Sequence, residues 1–191
     1  MRHTLLVLAA IATLAVGTAQ AETASYAIDP SHTFVTFEIG HMGTSTNRGR
    51  FDKKEGTAQL DVAGKTGKVD LTIDAASLST GTAAFNKHLM SADFFNVEQF
   101  PTIKFSADKF VFSGDKVSEI IGTLTLLGKT NPVTLKASNF NCYQSPMLKR
   151  EVCGGDFDTT IQRSQWGMTW GANYGFPDAV HLIVQVEAVK Q

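Results

Sequence analysis

The sequence predicts an all-β domain: about eight antiparallel strands closed into a single barrel, with one short helical cap. Three observations carry this. Segment after segment alternates apolar and polar residues, the period-2 mark of a strand with one buried face. Clusters of Gly, Asp, Asn and Ser separate the segments, as short turns require. Between residues 82 and 90 the apolar residues Ala83, Ala84, Phe85, Leu89 and Met90 instead fall at helical spacing.

Taken in order, Tyr26-Ala27-Ile28-Asp29-Pro30 is a short strand ended by a proline that cannot donate to a ladder. Thr33 to Ile39 puts Thr33, Val35, Phe37 and Ile39 on one face and Phe34, Thr36 and Glu38 on the other. The small, polar run His41 to Gly49 is expected as a loop. Arg50-Phe51 and Gly56 to Val62 are strand, Gly64 to Gly67 turns, and Lys68 to Ala75 returns as the second arm of a hairpin. The helix near Thr82 to Met90 leads into an aromatic passage containing Phe94, Phe95 and Phe100 and ended by Pro101. Strands follow over Thr102 to Phe112, Val117 to Leu127 and Val133 to Phe140, with Gly128 to Pro132 as a turn. Gly155 to Arg163 and Ala179 to Val189 complete the set, and Gln162 to Gly171 contains both tryptophans. Regular short strands suit a sandwich or a barrel; the slender alternation and single helical plug favour an eight-stranded barrel. A barrel of that size is filled by its own side chains or holds one small ligand, and periodicity leaves both open.

Residues 1–21 read as a secretory signal peptide: Arg2 and His3, an apolar run from Leu5 to Val16, and the small-x-small site Ala19-Gln20-Ala21. The run is too short to span a bilayer, so cleavage after Ala21 and export to a periplasm are expected, leaving residues 22–191 as one domain. Without Arg2 the chain has 16 basic and 18 acidic residues. That balance speaks against nucleic acid, which needs a basic footprint. It also lacks a polybasic membrane patch, and no stable membrane insertion is expected. Cys142 and Cys153 bracket a tip-like run, and in an exported protein a disulfide is expected. Closing so short a loop contributes about 2–3 kcal/mol.

A search for chemistry finds no G-x-S-x-G, H-E-x-x-H, C-x-x-C or phosphate loop. His32, His41, His88 and His181 have no metal-ligand spacing, so no metal and no catalytic residue is assigned. Ser31-His32 beside Asp29 suggests a triad, but neighbours on a strand point to opposite faces. Polar groups do sit where apolar faces end: His41 beyond Ile39, His88 and Asp93 at the helix end, and Arg163 beyond Phe157 and Ile161. They are either a solvated rim or contacts for the polar head of a greasy ligand. Phe94, Phe95, Phe100, Leu89 and Met90 are either core or pocket wall. A pocket so lined suits a long hydrocarbon, at roughly 0.8 kcal/mol for each buried methylene.

Four ordered blocks carry a resemblance. Tyr26-x-Ile28-Asp29-x-x-His32-Thr33-x-Val35-x-Phe37-x-Ile39-x-His41 is similar to the opening of the YceI-like family of polyisoprenoid-binding proteins. So are His88-Leu89-x-Ser91-x-Asp93-Phe94-Phe95 through Phe100-Pro101-x-Ile103-x-Phe105, and Gly122-x-Leu124-Thr125-Leu126-x-Gly128-x-Thr130-x-Pro132-Val133. Arg163-Ser164-Gln165-Trp166-Gly167-Met168 resembles the family's Arg-Ser-Asp-Phe-Gly-Met element, departing from it at Gln165 and Trp166. The resemblance implies an extended lipocalin-like barrel, usually periplasmic, holding an isoprenoid, a quinone-like molecule or a similar long-chain lipid, with no other cofactor. The lipid-binding residues it implies are Val35, Phe37, Ile39, Phe94, Phe95, Ile103, Phe105, Leu124, Leu126, Trp166 and Met168. The helix and rim add Leu89, His41, His88 and Arg163. The expected function is a periplasmic carrier of such a hydrophobic ligand, with a homodimer left open. The rivals are an enzyme acting on a lipophilic substrate through His41, His88 or Asp93, and a filled barrel with a structural or partner-binding role.

Overall fold

The computed structural model describes residues 23–191, so the expected signal peptide lies outside the described residues. The first half of the chain forms β1 (Ala24–Ile28), β2 (Phe34–His41), β3 (Ser45–Phe51), β4 (Lys54–Asp61), β5 (Thr66–Asp74), β6 (Leu78–Ser79) and helix α1 (Ala83–Met90). The second half forms β7 (Thr102–Ser113), β8 (Lys116–Leu126), β9 (Lys129–Gln144), β10 (Glu151–Gln162) and β11 (Ala179–Lys190). These eleven pieces make eight staves, because three long strands are each broken once. β1 and β2 both pair with β11, through Ile28↔Ala188 and Phe34↔Gln185. β4 and β3 pair in turn with β1 and β2, and β5 and β6 with β4 and β3. From β5 the order runs β7, β8, β9, β10, β11, antiparallel throughout, and β11 closes the ring on β1. This is an eight-stranded up-and-down barrel of lipocalin type with a short helical cap. Closure on β1 removes the long free edges of an open sheet, leaving one side of β6 and the start of β9 unpaired.

Each break has a chemical cause. Pro30 cannot donate to a ladder, and between β1 and β2 the fully buried Thr33 hydroxyl replaces the missing pairing. It donates to the Glu187 carbonyl at 3.3 Å and accepts from the Glu187 amide at 3.2 Å. Between β3 and β4 the chain is held across the break by Asp52 N–H to the Ser77 carbonyl (3.1 Å) and Asp74 N–H to the Lys53 carbonyl (3.0 Å). Between β5 and β6, residues Ala75–Ser77 make one 3₁₀ turn, and the Asp74 carboxylate accepts from the Ala76 amide at 2.9 Å. Inward residues of all staves, among them Ile28, Leu71, Ile73, Phe105, Leu124, Phe157 and Val184, form the buried core.

Two expectations are corrected. The run expected as a loop from His41 to Gly49 is mostly strand: β3 pairs with β2 through Ile39↔Asn47 and Glu38↔Arg48. Its polar residues carry no apolar alternation, and Arg48 instead pairs with Glu38 at 2.5 Å. Gly49 is required there because the Phe37 ring lies 2.3 Å from where a Cβ would stand. The turn expected over Gly128 to Pro132 shrinks to Leu127-Gly128, both at positive φ (51° and 70°), as two-residue hairpins prefer. Pro132 lies inside β9 opposite Thr123. β9 pairs with β10 only from Lys136 onward, so at Pro132 the strand has one neighbour and a missing donor costs little. Cys142 and Cys153 are directly opposed on β9 and β10 and joined by a disulfide, S–S 2.04 Å.

Candidate functional site

Toward one end of the barrel lie Ala24, Lys190 and the turns after β4, β7 and β9; toward the other lie α1, the segment to Pro101, and the connection between β10 and β11. An isolated helix as short as α1 is unstable in water; here it is tied down. The Asn86 side-chain carbonyl accepts from both the amide and the hydroxyl of Thr80 (2.8 and 2.7 Å). Phe85 and Leu89, four residues apart, share the inward face. Beyond the helix, amides of Phe95 and Val97 donate back to the carbonyls of Leu89 and Met90. This tight return sends the two adjacent phenylalanines to different places. Phe95 packs into the barrel, 5.3 Å from the Phe51 ring and 6.0 Å from Phe37. Phe94 stands at its mouth, 4.9 Å from His88 and 5.0 Å from Trp170.

Beneath this cap lies an apolar cavity of about 800 Å³, counting its open mouth. Of the residues expected to bind ligand, Val35, Phe37, Ile39, Leu89, Phe94, Phe95, Ile103, Leu124, Leu126, Arg163 and Met168 line it. Phe51, Ile73, Ile161, Val180 and Leu182 line it too. All but Phe51 fall on strand faces that alternation had marked as apolar. Phe105 and Trp166 line neither this cavity nor its vestibule. Phe105 is buried in the core deeper along β7, past the cavity-lining Ile103. Trp166 is fully buried, its indole N–H turned to the Leu124 carbonyl at 3.0 Å. It belongs to a 3₁₀ turn, Arg163–Trp166, that ends at Gly167 with φ 88°, a conformation glycine adopts without strain.

The cavity opens into a vestibule of about 660 Å³, with which it shares Ile39, Leu89, Phe94 and Arg163. His41 and His88 are here, with Asn47, Phe85, Trp170 and Phe176, which sequence reasoning missed. The rings interlock: Trp170 is 5.1 Å from His88 and 5.7 Å from Phe176, and His41 is 5.4 Å from Phe176. Arg163 is 4% exposed at the junction of the two spaces. A buried charge requires dense hydrogen bonding. Arg163 finds it in carbonyls of the following loop: Nε donates to Pro177 (3.0 Å), and Nη1 to Met168 (3.2 Å) and Trp170 (2.8 Å). Among the described residues no carboxylate lies within ion-pair distance of it. The guanidinium therefore folds the loop that presents Trp170 and Phe176. Asp178 clamps the loop's base by accepting from the Ser164 hydroxyl (2.6 Å) and amide (2.8 Å), and the hydroxyl bond holds its carboxyl below the usual range.

This arrangement can desolvate a hydrocarbon and offer a few polar contacts at its mouth. Among the described residues that line it there is no serine or cysteine for His41 or His88 to activate. Asp29, Ser31 and His32 do converge, since they lie in the turn between β1 and β2 rather than on one strand. Asp29 takes both partners, His32 at 2.7 Å and the Ser31 hydroxyl at 2.5 Å, so the hydroxyl is not aimed at the imidazole. Among the described residues no cluster of three His, Cys, Asp or Glu could hold a metal, and no helix is long and apolar enough to cross a membrane.

The profile of the YceI-like domain matches residues 26–188. The chain belongs to the YceI-like family. A UPF0312 protein of Pseudomonas putida is 35% identical over 189 residues, covering 94% of this chain and 96% of that protein. A UPF0312 protein of Ectopseudomonas mendocina is 33% identical over 95% and 98%. Among solved structures, the YceI-like chain resembles the Campylobacter jejuni YCEI protein, with TM-score 0.71 and 26% identity over 80% of this chain and 90% of that one. It shares its fold with a polyisoprenoid binding domain from Saccharophagus degradans implicated in plant cell wall breakdown, with TM-score 0.64 and 15% identity over 89% and 100%.

Proposed function

We propose that this YceI-like protein is a periplasmic carrier of an isoprenoid or similar long-chain lipid, held by its tail in the barrel with its polar head in the vestibule. The observation that carries the reading is the continuity of the two spaces: a cavity walled by aliphatic and aromatic side chains opens, past Phe94 and Arg163, into a vestibule holding His41, His88 and Asn47. An apolar chain ending in a polar group is the molecule that fits such a sequence of surroundings. The binding energy is desolvation of the tail, roughly 0.8 kcal/mol per methylene, so a few isoprene units outweigh the cost of association. The polyisoprenoid binding domain that shares the fold supports a lipid tail as cargo. Export is supported by the signal-like residues 1–21 and by a disulfide of the kind oxidising compartments favour. The role is binding without bond making.

Mass spectrometry of organic extracts from freshly purified protein tests this. The expected result is one stoichiometric lipid with a long apolar tail, on protein recovered from the periplasm and beginning at Glu22. A lipid-free protein that binds no added polyprenol would overturn the reading in favour of a filled barrel. Turnover of a bound lipid, abolished in His88→Ala, would overturn it in favour of an enzyme.

A further inference from the structure

The barrel contains a second interior cavity, and the layer that separates it from the first has a consequence for ligand length. The second cavity, about 470 Å³ counting the open space at its margins, lies toward the end away from α1, and its lining includes Val69, Phe110, Ile120, Phe140, Phe157 and Val186. It shares no lining residue with the cavity under the cap, whereas that cavity and the vestibule share four. Three strands show the same order along the barrel axis. On β5, Ile73 lines the upper cavity, Leu71 neither, and Val69 the lower; on β11 the same sequence is Leu182, Val184, Val186. On β7, Ile103 is upper, Phe105 is in neither, and Phe110 is lower. The intervening side chains are buried and meet in rows across the sheet. Leu71 is paired with Phe105, and Phe105 with Leu124; on the other wall Val184 is paired with Val35 and with Phe157.

Resting on the lipid-carrier reading, we infer that Leu71, Phe105 and Val184 form a floor that sets the length of tail the protein accepts. Side chains of one layer fill the cross-section of an eight-stranded barrel, and cores at native packing density do not yield to a tail without rotamer strain. Isoprene units entering past Phe94 gain desolvation until they reach this layer. Units beyond that number remain in the vestibule or in water and add nothing. The lower cavity is the space a longer tail would take if the floor were removed. Phe105 is thus a length-determining residue rather than a wall contact.

The test is displacement of a fluorescent fatty-acid probe from delipidated full-length protein by prenols of increasing length: geraniol, farnesol, geranylgeraniol and longer polyprenols. For the wild type, affinity should rise with each unit and then become flat. In Phe105→Ala, and independently in Leu71→Ala, the flat region should begin at least one unit later, with about tenfold tighter binding of the first chain beyond the wild-type limit. Filling the lower cavity in a Phe105→Ala, Val186→Phe double variant should restore the original limit. Thermal unfolding of each variant checks that it is folded. A limit that stays in place in both folded single variants, or a wild-type affinity that climbs without limit, would overturn the floor while leaving the carrier reading intact. Absence of any prenol binding by the wild type would overturn both.

Discussion

Thr33 is fully buried at a break in the sheet, and its hydroxyl stands in for a peptide group by bonding both the amide and the carbonyl of Glu187. Thr33→Val keeps the shape and removes both bonds, stranding the Glu187 amide. Denaturant unfolding should show a loss of about 1–3 kcal/mol, and an unchanged midpoint would mean that water replaces the hydroxyl. Two residues earlier, Ser31 joins a charged cluster. Burial pushes the Asp29 carboxyl up, but hydrogen bonds from His32 and Ser31 prevail and lower it to about 2, while its bond raises the His32 imidazole. A carboxyl whose folded value is depressed stabilises the fold above its unfolded value and loses that contribution as pH falls through the folded one. Asp29→Asn should therefore lower the unfolding midpoint at neutral pH, and the difference from wild type should close as pH drops from about 4 toward about 2. A difference constant across that range would refute the assignment. The His32 contribution runs the other way, present below its unfolded value and lost as pH rises through the elevated folded one.

At the scale of elements, the return after α1 divides labour between neighbours. Phe95 completes an aromatic cluster with Phe37 and Phe51, while Phe94 lines both the cavity and the vestibule. Phe95→Ala should cost stability, toward about 3 kcal/mol for a large-to-small change at a packed ring. Phe94→Ala should leave the unfolding midpoint nearly unchanged and lower lipid retention on dilution. The reverse pattern would mean that the two rings have been assigned the wrong way round. Strands with one buried face were legible because alternation reports burial directly, and so were α1 and most of the cavity wall. Only the Arg50-Phe51 end of β3 was legible; from Ser45 to Arg48 its residues are polar and mostly exposed, and backbone pairing with Glu38 to His41 leaves no hydrophobic trace. The vestibule was half legible. His41, His88 and Arg163 stood out as polar groups ending apolar faces, but Trp170 and Phe176 belong to an aperiodic loop. Its path is set by Arg163 bonding three carbonyls, and no spacing rule encodes that. Trp166 lies outside the cavity lining for a related reason: an apolar residue type says that a side chain is buried, while its N–H bond to Leu124 fixes where.

For the molecule as a whole, the eight staves are unequal. β7 to β11 run unbroken through the wall, whereas the three staves before them are each interrupted, at 29–33, 52–53 and 75–77. These interruptions are adjacent in space, since Asp52 bonds Ser77 and Asp74 bonds Lys53 across them. They form a crease running obliquely across one side of the vessel. At the crease isolated bonds such as these replace the continuous ladder, so opening there should cost less than opening an unbroken stave. Hydrogen exchange should find the amides of β2, β3 and β6 released as one group ahead of those in β7 to β10, and slowed when a tail-bearing ligand is bound. Uniform protection around the ring would contradict this. Release in that order would mean that β2, β3 and β6 swing outward as one panel, like a hinged shutter with β11 as its post, readmitting water or cargo while the remaining staves keep their registration.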